Sequence, residues 1–259
     1  MSEAERLYAA HCAALARMCD VLEGARFERR PGYVWTTCPS IPVPSFNNVL
    51  PEDDAAATAL EGALSEIAAL GLPPGLLVRR GKTPAWEAEA ERVGLMVREE
   101  EPGMVVTPAE LGDVDVPELE IVRIKTADGL AQALAVAAEG FAVPPELFAP
   151  LYDLAFLGVD GVAYYLGRVG ETDVTTGTGF TIGDAVGIFS IATPPQHRGR
   201  GYGAAVTAQA VRDGFRAGAE FAWLGSSPSG YPVYRRLGFR RVETHVLYAA
   251  PEAAAEVRP

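Results

Sequence analysis

Apolar and polar positions alternate along this chain with two periods, and they divide it into helices and strands. Leu7, His11, Leu15, Met18 and Leu22 recur at helical spacing, which predicts an amphipathic helix at the N-terminus. Between Gly32 and Leu50 the segments "GYVWTTC" and "FNNVL" carry the β-branched and aromatic residues that strands favour, with "PSIPVP" as punctuation between them. The run from Asp54 to Leu70 puts Leu60, Leu64 and Ile67 on one helical face and begins with aspartates, as a helix dipole prefers. A strand at "GLLVRR" and a helix from near Pro84 follow. The stretch "GLMVREEEPGMVV" then reads as a strand pair turning at Pro102 and Gly103.

Residues 107–118, "TPAELGDVDVPE", are rich in proline and acid and poor in apolar side chains, which is linker composition. The pattern therefore predicts two domains, 1–118 and 119–259. The second reads as a strand at "LEIVRI", a helix from Ala127 to about Glu139, and a helix from about Pro145 to Phe156. Strands follow at "VAYYLGRV", "DVTTGTGFTI" and "AVGIFSIA". After "HRGRGYG" come a helix to about Ala217, the strand "EFAWLG", the helix "PVYRRLG" and the strand "RRVETHVLYA". Meander strands followed by strand, helix, strand, helix and strand form a mixed α/β sheet, an α+β arrangement.

Charge narrows the partners. With 34 acidic against 22 basic residues the chain carries a net −12, so nucleic acid and anionic membrane are disfavoured as partners, and any bound anion needs a local site. No secretory apolar segment and no apolar run of about 18 residues is present, which predicts a soluble cytoplasmic protein. Cys12, Cys19 and Cys38 are odd in number, and the first two lie about 10 Å apart along a helix, beyond disulfide reach, so they read as small core residues. His11, His197 and His245 share no ligand spacing with one another or with the cysteines, and no metal site is predicted. His11 falls on the apolar stripe and reads as a packed histidine.

The chemistry concentrates at "HRGRGYG", His197 to Gly203. The preceding strand is apolar from Val186 to Ala192, hence central in a sheet. After the loop, Val206, Ala210, Gly214 and Ala217 mark one face of a helix that packs closely on it. The loop thus stands at a helix N-terminus, where free amides and the positive dipole end favour an anion. Gly199, Gly201 and Gly203 permit amides to turn inward without an obstructing Cβ, and Arg198 and Arg200 add charge suited to phosphate. Neither a G-x-x-x-x-G-K-[ST] loop nor a G-x-G-x-x-G fingerprint is present.

The spacing of Arg198, Gly201 and Gly203 resembles the [QR]-x-x-G-x-[GA] signature of the GCN5-related N-acetyltransferase (GNAT) superfamily. The resemblance spans roughly Glu120 to Tyr248, with the family's order of elements and its late "Y-x-x-x-G-F" segment at Tyr234, Gly238 and Phe239. It implies a GNAT fold in the second domain, with the amides of Gly199, Arg200, Gly201, Tyr202, Gly203 and Ala204 binding the pyrophosphate of acetyl-CoA. The strand edge Ile191, Ala192 and Thr193 would pair with the pantetheine amides, and that strand would splay from "FAWLG" to open a V lined by Ser226 and Ser227. Tyr234 matches the tyrosine that protonates the departing thiolate, a task suited to a phenol neutral at pH 7. Tyr231, one turn earlier, reads as a packing or lid residue. Glu139, Glu146 and Asp153 fall on the acceptor side without any marking one as a base, and His197 faces solvent or the cofactor's phosphates.

"AERVGLMVREEE" from Ala90 matches "YRRLGFRRVETH" from Tyr234 in its Arg-x-Gly-apolar core, so the first domain reads as a smaller, degenerate GNAT-like copy. Its equivalent turn, "FNNVLPEDDAAA", carries Glu52, Asp53 and Asp54 in place of the loop, and Ala90 in place of Tyr234. Those carboxylates would repel pyrophosphate while capping the helix. The reading is an acetyl-CoA-dependent N-acetyltransferase, monomer or homodimer, acting on the amine of a small molecule or amino acid, with cationic acceptors favoured by the acidic surface. The alternatives are an acyl-CoA-binding regulatory module without turnover and an acyltransferase with a different acyl donor.

Overall fold

The computed structural model describes residues 1–251 of the chain. In chain order the elements are α1 (Glu3–Cys19), β1 (Arg26–Arg30), β2 (Tyr33–Thr37), β3 (Asn48–Pro51), α2 (Leu60–Ala69, entered through a 3-10 turn at Asp54–Ala59), β4 (Gly75–Arg79), α3 (Pro84–Arg92) and β5 (Met96–Val106). Then come β6 (Glu120–Arg123), α4 (Ala127–Phe141), α5 (Pro145–Phe148), α6 (Leu154–Leu157), β7 (Val162–Val169), β8 (Thr172–Ile182), β9 (Ala185–Ala192), α7 (Tyr202–Arg216), β10 (Phe221–Gly225), α8 (Tyr231–Arg236) and β11 (Arg240–Ala249). Packing gathers them into two compact units, one of Met1–Ala14 with Met104–Val242, the other of Leu15–Gly103 with the described residues from Glu243 onward.

In the first of these units β6, β7, β8 and β9 pair antiparallel in succession, and β10 joins β9 in parallel. Parallel neighbours need a crossover, which α7 supplies. It lies close on the sheet because Gly214 has no side chain: a Cβ there would stand 2.6 Å from Val186. Val206, Ala210 and Val211 of α7 meet Val186, Ile188, Ala222 and Leu224 in one core, and complete burial of each valine or leucine contributes about 1.5–3 kcal/mol. The small-residue stripe ends a turn earlier than its spacing predicts, since Ala217 caps the helix and is exposed.

The other unit repeats this succession. β1, β2 and β3 form an antiparallel meander, β3 and β4 are parallel across α2, and β11 adds antiparallel to β4 with His245 opposite Arg79. Its core holds Trp35, Leu60, Ile67, Leu76 and Trp86, all essentially inaccessible. Both indoles find acceptors: Trp35 Nε1 donates to the Ala63 carbonyl at 3.2 Å and Trp86 Nε1 to that of Asp53 at 2.9 Å.

Three elements depart from the sequence pattern. The strand pair expected at Pro102–Gly103 is one continuous strand, β5, and Gly103 does not take up the positive φ of a type II turn with Pro102 at its second position. The helix expected from Pro145 to Phe156 is broken into α5, a 3-10 turn and α6. Pro150 has no amide to donate back to Glu146, and Asp153, extended at φ −99°, ψ 156°, starts α6 by accepting the Ala155 N–H at 2.7 Å. Conversely, "RFERR" forms the edge strand β1, turned back on β2 at Gly32 (φ 84°); its run of charges masks strand propensity and suits an edge. Residues 107–118 hold no helix or strand, yet the Gly112 N–H donates to the Leu237 carbonyl at 3.0 Å and Asp113 pairs with Arg212 at 2.9 Å.

Candidate active site

A gap between two parallel strands builds the site. β10 pairs with β9 only through Phe221, Ala222 and Trp223 against Ala185, Val186 and Gly187. β9 runs on to Ala192, so its backbone from Ile188 onward has no partner in β10. Its course also bends: the ladder to β8 slips between the pairs Thr178–Phe189 and Thr176–Ala192, leaving Ser190 and Ile191 opposite the single residue Gly177. Ser190 takes the left-handed conformation at φ 52°, which costs a non-glycine residue about 1–2 kcal/mol. Gly177 makes room for the bulge, since a Cβ there would lie 2.3 Å from Ile191 Cδ1. The buried hydroxyl of Tyr152 faces the hydroxyls of Ser190 and Thr176. Burial raises its pKa against the opposing influence of the Ser190 and Thr176 hydroxyls.

The glycine loop follows β9 through a 3-10 turn at Pro195–His197. Gly199 (φ 79°) and Gly201 (φ 84°) both occupy the left-handed region, so the chain reverses there without strain. The first helical hydrogen bond of α7 runs from the Ala205 N–H to the Gly201 carbonyl at 3.0 Å. Ahead of it, the amides of residues 199–204 make no hydrogen bond among the described residues. At the third glycine, Gly203, a Cβ would stand 3.3 Å from Thr193 Oγ1. Unspent amides at the positive end of a fifteen-residue helix are suited to holding an anion.

A cleft of about 670 Å³ opens over this loop. Ile191, Ala192 and Thr193 of the β9 edge line it, together with Arg198, Gly199, Gly201, Tyr202, Gly203 and Ala204 of the loop. Tyr234 of α8 lines the same cleft; its ring meets Phe239 edge-on with centroids 5.9 Å apart, and a Cβ on Gly230 would approach that ring to 2.8 Å. Arg200 is exposed and is not among the lining residues. Ser226 is fully buried with Oγ donating to the Ser227 carbonyl at 2.9 Å, and it is Ser227 and Ser229 that line the wall.

The acceptor-side carboxylates have local partners. Glu139 accepts from Gln196 Nε2 at 2.8 Å and Asp153 caps α6, whereas Glu146 is exposed. Gly140, Phe141 and Asp113 also line the cleft, and sequence reasoning missed them. The first two lie at the end of a long helix and Asp113 in a linker-like segment, so only the tertiary arrangement brings them to the site. No group of three His, Cys, Asp or Glu side chains able to hold a metal occurs among the described residues.

The equivalent turn of the other unit is closed by its own groups. The amides of Glu52 and Asp53 donate to the Gly32 carbonyl at 2.8 and 2.9 Å, Asp53 Oδ1 accepts the Ala55 N–H at 3.0 Å, and Asp54 Oδ1 accepts the Ala85 N–H at 3.0 Å. No cradle is left there for an external anion, and Ala90, buried at the end of α3, offers no hydroxyl.

Residues 167–242 match the family model described as "Acetyltransferase (GNAT) domain". A search of curated proteins gives no match. Among solved structures, a GCN5-related N-acetyltransferase from Kribbella flavida superposes with a TM-score of 0.79 at 22% identity, covering 100% of both chains. A GCN5-related N-acetyltransferase from Sphaerobacter thermophilus gives a TM-score of 0.62 at 14% identity, over 94% of this chain and 90% of that one. A tandem GNAT protein from the clavulanic acid biosynthesis pathway gives 0.57 at 10% identity, over 84% and 78%.

Proposed function

We propose that this chain, which carries a GNAT acetyltransferase domain at residues 167–242 on the matching fold, moves an acetyl group from acetyl-CoA to a primary amine of a small molecule or amino acid in the cytoplasm. The observation that carries the reading is the row of unspent amides at residues 199–204, of which Gly199, Gly201, Tyr202, Gly203 and Ala204 line the same cleft as Ile191–Thr193 of the free β9 edge and Tyr234. The groups present fit the cofactor: the glycine turn takes the pyrophosphate, and the edge from Ile191 to Thr193 takes the amides of the pantetheine arm as an added strand. Bound there, acetyl-CoA supplies an activated thioester.

The chain's own residues then do three things. The splay of β9 from β10 admits the acyl end between the strands, and the bulge at Ser190 turns backbone groups out of the ladder toward it. Tyr234 donates a proton to the departing sulfur, an uncharged donor at neutral pH. The neutral amine attacks directly, and its surplus proton passes to water. The domain lacking a cradle is a degenerate copy in this reading, and only the second domain holds cofactor.

Release of free CoA, followed with a thiol reagent across a panel of small amines, amino acids and polyamines, tests the proposal. Turnover on at least one acceptor is expected. Micromolar CoA binding without turnover on any of them would instead favour a regulatory acyl-CoA-binding module.

A further inference from the structure

We propose that Arg198 is a positioning residue: its guanidinium ties the end of α4 to the mouth of the cleft and so fixes the wall that receives the acceptor, while the anion is left to the loop amides. The proposal rests on the reading of the cleft as an acyl-CoA site. Arg198 Nη2 donates to the Gly140 carbonyl at 2.7 Å and Nε to the Thr193 carbonyl at 3.0 Å. Gly140 lies in the last turn of α4, where carbonyls have no partner within the helix, and Thr193 follows the last residue of β9. One bidentate edge of the guanidinium is therefore spent on two carbonyls from two different segments.

The neighbours reinforce this joint. Gly140 has to approach β9 closely, since a Cβ would stand 2.9 Å from Ala192 Cβ and 3.1 Å from the Thr193 nitrogen. One residue earlier, Glu139 accepts from Gln196 Nε2 at 2.8 Å, a second strut between α4 and the turn that leads into the loop. One residue later, Phe141 lines the cleft and packs on Phe148 with ring centroids 5.3 Å apart, and the chain leaves the helix at Ala142 in the left-handed conformation (φ 56°). Arg198 thus connects the glycine loop to the segment that carries Phe141. Lysine cannot replace it, because a single ammonium on a flexible stem does not present two donors in a fixed fork.

Two variants, Arg198→Ala and Arg198→Lys, separate a tether from a phosphate ligand. Amide hydrogen exchange of a peptide covering residues 139–149 should accelerate about tenfold in both. Their affinity for CoA, measured calorimetrically at about 0.05 M and about 0.5 M NaCl, should keep a constant ratio to wild type within about twofold, because no screened ionic contact to the ligand is lost. The proposal is overturned if lysine restores wild-type CoA affinity, the deficit of the alanine variant shrinks at high salt, and exchange at 139–149 is unchanged. Wild-type protein that fails to bind CoA at either salt concentration would sink the reading of the cleft, while the exchange comparison would still decide the tether.

Discussion

Gly201 carries two separable duties, and two substitutions pull them apart. It caps α7 at φ 84°, and the nearest atom to an added Cβ is Val116 Cγ2 at 3.3 Å, so an alanine fits with a small shift of one methyl. The left-handed backbone alone then costs Gly201→Ala about 1–2 kcal/mol. At about 2–4 °C per kcal/mol for a chain of this size, the melting temperature falls by about 2–8 °C. Gly201→Glu carries the same backbone strain and adds a carboxylate beside the amides. Like charges about 4 Å apart repel by about 4 kcal/mol at an effective dielectric of 20. If solvent screening halves that, about 2 kcal/mol remains, a loss of roughly 30-fold in affinity. Differential scanning calorimetry should give the two variants similar melting temperatures, and titration calorimetry should give the glutamate variant much weaker CoA binding than the alanine one. Equal CoA affinities would refute the anion cradle, and an alanine variant that melts like wild type would refute the strain argument.

Two further outcomes follow from the same structure. Tyr234→Phe keeps the ring against Phe239 and removes the proton, so kcat should fall by about 100-fold with the CoA dissociation constant nearly unchanged; an undiminished kcat would leave this ring a packing role only. In the other unit, burial and the neighbouring Glu99 carboxylate push Glu101 up to about 7 from its ordinary 4.5. The unfolded chain releases that proton first as pH rises, so the native state loses stability between about pH 4.5 and about pH 7, and the loss is complete above that window. Glu101→Gln should therefore show a higher urea midpoint than wild type at about pH 8, with the difference closing toward about pH 4.5; a difference that is largest in acid would reverse the assignment.

Much of the site was legible because its signals are local. An apolar run, a glycine turn and a small-residue helix stripe each depend on side chains a few positions apart, and together they locate β9, the loop and α7. The acidic turn was legible only in part: Asp53 caps the 3-10 turn that follows it, as its place at a helix start predicts, but Asp54 accepts the Ala85 amide of α3 and Glu52 pairs with Arg29, partners no local pattern announces. Arg198 shows the limit. Its position in the motif was plain, but the Gly140 carbonyl that it meets lies 58 residues away in the chain, and no local pattern announces that pairing.

By itself the sequence determined most of the helices and strands and placed a glycine turn at a helix start, because periodicity, glycine and helix-end charge act over one or two turns. Tertiary structure decided the rest. It kept β5 unbroken through Pro102–Gly103, bent β9 at Ser190 against Gly177, and brought Phe141 and Asp113 to the cleft. Each of these depends on which backbone groups find partners across the fold, and a distant chain segment supplies those partners only once the sheet has formed.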